Sequence, residues 1–433
     1  MSWRETLTPV RMERLALVSR EEDLPRMLDA IASTGAVELD LGEASSTPGT
    51  DERRRVAGAA VVSGRLRGLV GWAPARDLDR VAAELGAVGA SAVPLPRPAG
   101  LEPPTLLTGP NPRGAARLLV DTYGTVPYAD VDPSRLAALS YVLMFGIMFG
   151  DVGHGAILVI AALVLRSGRI RPLASFRRVW PMVLGGGLAA MVAGVLYGEA
   201  FGPTGLVPVL WLDPLAAPVP LLLAALVVGA VLTAAAYAVG TINRVREGGW
   251  GYALYARTGV AGSLLFLAVP LLAGGILLGS AALDISAGAL AFLGIAFVFV
   301  GLLVESGGGA TGVFQAAIEL VDTVIRLGSN LVSFARLAAF GLTHAALTMV
   351  TWNATVALWA PDWHAILAIL VFLVGNVVTF GLEALVAGIQ ALRLEYYELF
   401  SRIFQTEGRP FRPWNPPAAA EDAAPASSER HGA

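Results

Sequence analysis

Hydrophobic and polar positions divide the chain into two regimes that meet near residue 136. Residues 10–39, VRMERLALVSREEDLPRMLDAIASTGAVEL, hold a short apolar run, an amphipathic helix pattern across 24–31, then Gly35 and a second apolar run. The same order recurs over 66–74, 77–85 and 92–94, so the spacing predicts two β-α-β units of a small α/β lobe. Between them, 44–55 is Ser/Thr/Pro/Gly followed by a charged run, which predicts a loop. Residues 97–112 are Pro-rich and predict an extended linker.

Beyond 136 the solvent changes. Apolar segments fall at 136–150, 154–165, 179–198, 218–241, 258–279, 282–304, 331–358 and 365–392. A helix needs about 20 apolar residues to cross the hydrocarbon core, so the first two are too short to span singly. They predict a tight helical hairpin, buried against other helices and turning at Gly150-Asp151. With the pair counted as a hairpin there are eight membrane segments, and an even number returns the C-terminus to the side of the N-terminus. The fold class expected is a mainly α-helical polytopic membrane protein with a small N-terminal α/β cytoplasmic lobe, its last two segments long and tilted. The expected domains are the lobe (1–96), a Pro-rich linker (97–135), the membrane domain (136–414) and a disordered tail (415–433).

Arginine placement bears on orientation. Arg166, Arg169, Arg171, Arg177 and Arg178 follow the second segment. Arg244, Arg246 and Arg257 follow the fourth, Arg326 the sixth, and Arg402, Arg409 and Arg412 the eighth. The loops at 199–217, 280–281 and 359–364 have none, so by the positive-inside rule the termini are expected in the cytoplasm of a multi-pass cell-membrane protein. Arg4, Glu5, Arg11, Glu13 and Arg14 interrupt any apolar stretch at the N-terminus, which argues against a signal peptide.

Composition narrows the function classes. The 433 residues are 55% hydrophobic and 15% charged, well below the quarter charged of an ordinary soluble domain. There is no cysteine, which excludes disulfides, thiolate-held metals and a thiol nucleophile. A net charge of −3 argues against nucleic acid as a partner. All 31 basic residues are arginine, so choice of arginine over lysine at any one place carries no information.

Against this apolar background, a few polar groups are out of place. Arg336 lies within LVSFARLAAFGLTHAALTMV, where a guanidinium costs a few kcal/mol and cannot shed its proton. In the eighth segment Asn376, Glu383 and Gln390 recur every seven residues and form one stripe, with Arg393 a turn beyond. If the last two segments pack antiparallel, a rise of 1.5 Å per residue puts His344 about 12 Å from Arg336 and Glu383 about 15 Å from Arg393, both outward. Asp322 then lies about 21 Å to the inner side of Arg336. Titratable groups would reach in from both faces with fixed positive charge between them, as two half-paths require and a continuous pore does not.

These residues also carry a resemblance. RLGSNLVSFARLAAFGLTHAALTMVTWN resembles the seventh membrane helix of the V/A-type rotary ATPase subunit a, called subunit I in prokaryotes, with its S-Y/F-x-R-L pattern and a His eight residues after the Arg. GLEALVAGIQALRLEYYELFSRIFQTEGRPFRPW is similar to that family's last helix, with Glu and Arg ten apart and an exit toward F-x-P. The segment from PPTLLTGPNPRG to FGDVGHG resembles its linker and first hairpin, and MERLALVSREEDL and GLVGWAP match its soluble domain weakly.

The resemblance implies a non-catalytic, ion-translocating stator subunit of an ATP-driven rotary ATPase, with two offset proton half-channels against a rotating proteolipid ring. By the same resemblance Arg336 and Arg393 would face the ring, Glu383 and His344 would belong to the outer half-channel, and Asp322 would serve the inner one; the aligned stripe of Asn376, Glu383 and Gln390 reads, on spacing alone, as the lining of a wet path. Implied partners are the proteolipid ring, peripheral-stalk and other rotary ATPase subunits, and membrane lipid; no cofactor is expected. Where family members insert a long antiparallel coiled coil, this chain has only 44–65, so the arm toward the peripheral stalk is missing or replaced.

Other signals are weaker. Asp151 and His154 could be a proton or metal site, although a capped hairpin turn accounts for them more simply. His364 beside Trp363 suits an interface, and Gly307, Gly308 and Gly309 suggest a flexible loop, without the strand or Lys of a phosphate loop. Two other functions stay open: a degenerate or scaffolding paralogue, and a self-contained secondary ion transporter. The latter predicts two pseudo-symmetric halves, and the first four segments show no counterpart of the charged last two.

Overall fold

The computed structural model describes residues 8–41, 52–98, 100–107 and 114–415, so residues 44–51 of the loop expected at 44–55 and the tail beyond 415 lie outside the described residues. The chain divides into two compact units.

The first unit is built on β1 (Met12–Arg20), α1 (Leu24–Thr34), β2 (Glu38–Leu39), α2 (Glu52–Gly58), β3 (Val61–Ser63), β4 (Leu66–Pro74), α3 (Leu78–Ala87) and β5 (Ser91–Leu95). Its sheet is antiparallel in the order β2-β4-β1-β5, with β3 added on β4, and β1 pairs from Met12↔Pro74 to Arg20↔Leu66. This is the split β-α-β arrangement that two β-α-β units produce when they interleave. Leu15 and Leu17 alternate inward from β1, and α1 presents Leu24, Met27, Leu28 and Ile31 at i, i+3, i+4 and i+7 to the same core, joined by Val81 and Leu85 of α3. Gly35, at φ 57°, ends α1 in the left-handed conformation that glycine adopts without penalty. The charged run after residue 51 is helical, as α2, rather than part of a loop. The segment after residue 407 joins this unit too. Trp414 N donates to Val37 O at 2.8 Å, Arg412 N to Glu38 Oε2 at 2.6 Å, and Arg409 pairs with Glu38 at 2.7 Å.

The second unit is helical: α4 (Ala115–Tyr123), α5 (Ser134–Met148), α6 (Val152–Ser167), α7 (Trp180–Tyr197), α8 (Pro218–Tyr255), α9 (Val260–Leu278), α10 (Ala281–Glu305), α11 (Gly309–Ser333), α12 (Ala335–Leu358), α13 (His364–Leu394) and α14 (Ser401–Ile403). Helix α4 lies inside the stretch expected to be linker. Among the described residues six stretches are long and apolar enough to cross a membrane: Arg171–Tyr197, Pro218–Tyr255, Val260–Leu278, Ala281–Glu305, Gly309–Leu358 and His364–Ile403. The chain is therefore a mainly helical multi-pass membrane protein with a small N-terminal sheet. At 15 and 16 residues, α5 and α6 fall short of that length.

Those two helices are held by close approach to α7. A Cβ on Gly155 would lie 2.7 Å from Gly187 O, and one on Gly187 would lie 2.9 Å from Gly155 O, so the backbones touch where side chains would separate them. Two boundaries differ from the periodicity. The fourth segment continues past 241 as α8, breaking at Gly249 (φ 76°), and so carries Arg244 into a buried position rather than a loop. The seventh is preceded by the amphipathic α11, from which only Phe334 separates α12; the Phe334 ring fits against Gly229 of α8, where no side chain intervenes.

Candidate functional site

Helices α12 and α13 pack against each other, and α12 also meets α5 and α8. Their polar residues fall into two groups.

The first group surrounds a cavity of about 890 Å³ lined by Arg336, Arg393, Arg326, Asn330, Glu398 and Arg402, among others. Among the described residues neither Arg336 nor Arg393 has an ion-pair partner. Glu398 is engaged elsewhere: with its amide turned to suit its neighbours, Asn330 donates to Glu398 Oε2 at 3.1 Å and accepts from Arg402. After α13 the backbone passes through a π-helical turn, Glu395–Phe400, which aims Tyr397 and Glu398 at the cavity; such turns interrupt a helix's regular face. The same turn buries Glu395, whose Oε2 accepts from Ser140 Oγ at 2.6 Å. Asp322 does not line this cavity. It pairs with Arg326 one turn along α11, at 2.6 Å and exposed, and Arg326 reaches the lining.

The second group forms where α12 and α13 meet the turn between α5 and α6. His344 Nδ1 contacts Glu383 Oε2. His154 Nε2 lies 3.1 Å from Asn376 Oδ1. Asp151 caps α6 by accepting from His154 N at 2.9 Å, and it also accepts from Phe201 N at 3.0 Å and Gly202 N at 2.8 Å. Phe201 holds φ at 54°, uncommon for a residue with a Cβ, and the Asp151 carboxylate anchors that conformation. Asp151, His154 and His344 are buried, Glu199 joins them at the end of α7 with an unpartnered carboxylate oxygen, and Phe149 packs between His154, His344 and Phe380.

Arg336 and Arg393 thus share one cavity, His344 meets Glu383, and Asn376 meets a residue of the hairpin. Gln390 lies on the same helix with its Oε1 buried and unpartnered. Sequence reasoning read Asp151 and His154 mainly as a turn and gave no place to Glu199, Asn330 or Glu398. The compact FGDVGHG motif was a signal for the first two; a lone Glu in a loop and a Glu following Arg393 by five residues carried none.

A third buried cluster lies where the chain enters α5. Arg244 is 2.7 Å from Glu247 and 3.8 Å from Asp130, and neither Asp130 oxygen has a hydrogen-bond partner. Burial, reinforced by the neighbouring Glu247, pushes the Asp130 carboxyl up to about 8 despite Arg244 and Arg246.

Residues 63–204 match the V-type ATPase 116kDa subunit family. The chain is 27% identical to the A-type ATP synthase subunit I of Thermococcus kodakarensis over 366 residues, 80% of this chain and 53% of that protein. It is 26% identical to the A-type ATP synthase subunit I of Methanocaldococcus jannaschii over 462 residues, 95% of this chain and 63% of that protein. With the V-type ATP synthase subunit I 2 of Treponema pallidum it shares 37% identity over 144 residues, 31% of this chain and 32% of that protein. The chain spans about half the length of the archaeal relative from Thermococcus.

Proposed function

We propose that this chain, whose residues 63–204 match the V-type ATPase 116kDa subunit family, is the membrane stator subunit of a V/A-type rotary ATPase, working against a proteolipid ring and alongside other rotary ATPase subunits. The observation that carries this reading is the pair Arg336 and Arg393 opening onto one cavity with no acidic partner among the described residues. Two guanidiniums in an apolar unit are costly unless a counter-charge arrives from outside the chain. A carboxylate on a ring proteolipid supplies it.

The two polar groups then act as offset proton half-paths. A ring carboxyl is neutral while it faces lipid, ionises as it meets Arg336, and is reprotonated after passing it. The outer path uses Asn376, Glu383, His344 and Asp151; the inner one opens at the arginine-lined cavity near Asp322 and Arg326. Helical rise separates the two levels by about 12 Å along α12 and about 15 Å along α13, and the fixed charge of Arg336 opposes direct leakage between them. In this reading the α5–α6 hairpin completes eight membrane segments with both termini cytoplasmic. At 31 residues and about 46 Å, α13 exceeds the hydrocarbon core and crosses at a tilt.

Purification from native membranes tests the assignment. The expected result is an assembly containing a proteolipid ring in which cysteines placed at Ser333 and on the ring carboxylate's neighbours cross-link; a chain that purifies alone and transports ions unaided would overturn it.

A further inference from the structure

The hydrogen bonds around the α5–α6 turn fix the tautomer of His154. Asn376 Nδ2 donates to Phe372 O at 2.9 Å, which leaves Oδ1 as the acceptor facing His154 Nε2 at 3.1 Å. His154 therefore carries its proton on Nε2, and its Nδ1 lone pair faces Asp151 Oδ1 at 4.0 Å. In His344, Nδ1 meets the Glu383 carboxylate and Nε2 faces Asp151 Oδ2 at 3.9 Å. Both distances exceed a hydrogen bond, and His154 Nδ1 and His344 Nε2 are buried without partners. Two ring nitrogens and a carboxylate thus converge with no hydrogen bond closed among them. A cation at their centre would satisfy all three.

We propose that Asp151, His154 and His344 form a binding site for a divalent transition-metal cation of the zinc type. One ligand atom from each residue lies within 4.8 Å of the other two. Ligand atoms around a tetrahedral zinc stand about 3.4 Å apart, so side-chain shifts of the order of 1 Å close the site. Two nitrogens and one oxygen suit zinc over magnesium or calcium, which take oxygen. Each ligating ring gives its other N–H to an amide oxygen or a carboxylate, the outer hydrogen bond that metal-bound histidines make. Charge balance favours a dication too. Asp151, Glu199 and Glu383 bring three carboxylates to one buried place, and their ion pairs among the described residues are with histidine alone. With three protein ligands, the fourth position is open to water.

The proposal deepens the half-channel reading, on which it rests only for its consequence. A metal held there ties the hairpin turn to α12 and occupies Asp151 and His344, so it blocks the outer path. Zinc would then act as an inhibitor from that side.

The test uses the full chain in lipid nanodiscs, stripped with chelator and titrated with Zn²⁺ by calorimetry and with Co²⁺ by visible absorption. One saturable site is expected. His154→Gln and His344→Gln should each weaken binding more than about 100-fold, and Asn376→Leu, which frees the His154 ring, about 10- to 100-fold. His364→Gln, outside the cluster, should change nothing. Circular dichroism and the zinc-dependent shift of the melting midpoint separate lost ligation from lost folding, because a folded His variant keeps its helices but loses the shift. Absence of saturable binding, binding unchanged in both His154 and His344 variants, or binding lost in His364→Gln would overturn the site, leaving protons alone to neutralise the cluster. Reconstituted assemblies separate the two ideas. Transport indifferent to zinc sinks the blocking role alone, whereas zinc binding to a chain that never joins a ring sinks the half-channel reading and leaves the site standing.

Discussion

Asn376 of α13 accepts from His154 of the short hairpin at 3.1 Å, which joins the first apolar pair of helices to the last. Of the stripe Asn376, Glu383 and Gln390, the first therefore meets the turn between α5 and α6, and the second meets His344 of α12. That join has consequences for what each residue should do when replaced.

Arg336→Ala is expected to reduce coupled ion transport to background while the chain still inserts and folds. The arginine sits in the cavity without an acidic partner, so its removal relieves an unpaired charge rather than breaking an ion pair. ATP-driven acidification of reconstituted vesicles is the measurement, with circular dichroism as the folding control. Pumping near the wild-type rate would count against the role.

Glu383→Gln should slow transport by about 100-fold without abolishing it, since an amide keeps a hydrogen bond to His344 but cannot exchange a proton. Cysteines at 376, 383 and 390 should react with water-borne reagents added from the outer side. If none of the three reacts, the stripe is not a wet path.

Asp130 gives the helical unit a pH dependence with a defined sign. Its carboxyl titrates at about 8 in the fold and near 3.8 in the unfolded chain, so between those values the folded state holds the extra proton. Stability contributed by the neutral acid is full below about pH 4 and is lost as pH rises through about 8. The melting midpoint in detergent should fall across that window. Asp130→Asn, which keeps the group permanently neutral toward Glu247 and Arg244, should flatten the fall; an unchanged profile would show that Asp130 is not its source.

Gly155→Ala should loosen α6 from α7, because the added methyl meets Gly187 O at 2.7 Å and Met191 beside it. The expected cost is about 1–3 kcal/mol, read as a lower melting midpoint. Tolerance is expected instead at Gly274 of α9, where a Cβ meets nothing within 4 Å, so Gly274→Ala should leave the midpoint unchanged or raise it.

Among its described residues the lobe of residues 10–95 has no long coiled coil, and in the proposed role a stator that is not held turns with its ring. Intact-mass measurement of the assembled complex from native membranes should therefore find a further partner on this lobe. A coupled assembly in which nothing else touches it would show that the arm is dispensable.

Much of this protein was decided by the sequence alone. Period-2 and period-3.6 apolar spacing defined the lobe's strands and helices, because each face must meet one core, and long apolar runs defined the helices because their backbone can satisfy itself only internally. Heptad spacing put Asn376, Glu383 and Gln390 on one face, and helical rise put His344 about 12 Å from Arg336 and Glu383 about 15 Å from Arg393. Tertiary packing decided the rest. Nothing in the local pattern distinguished Asp151 as a helix cap from Asp151 as the centre of a cluster, since Phe201, Gly202 and His344 reach it from 50 or more residues away. Arg244 looked like a loop cation because only the length of α8 carries it inward to Asp130 and Glu247. Periodicity reports which face of an element is buried; which charges meet there depends on contacts between elements far apart in the chain.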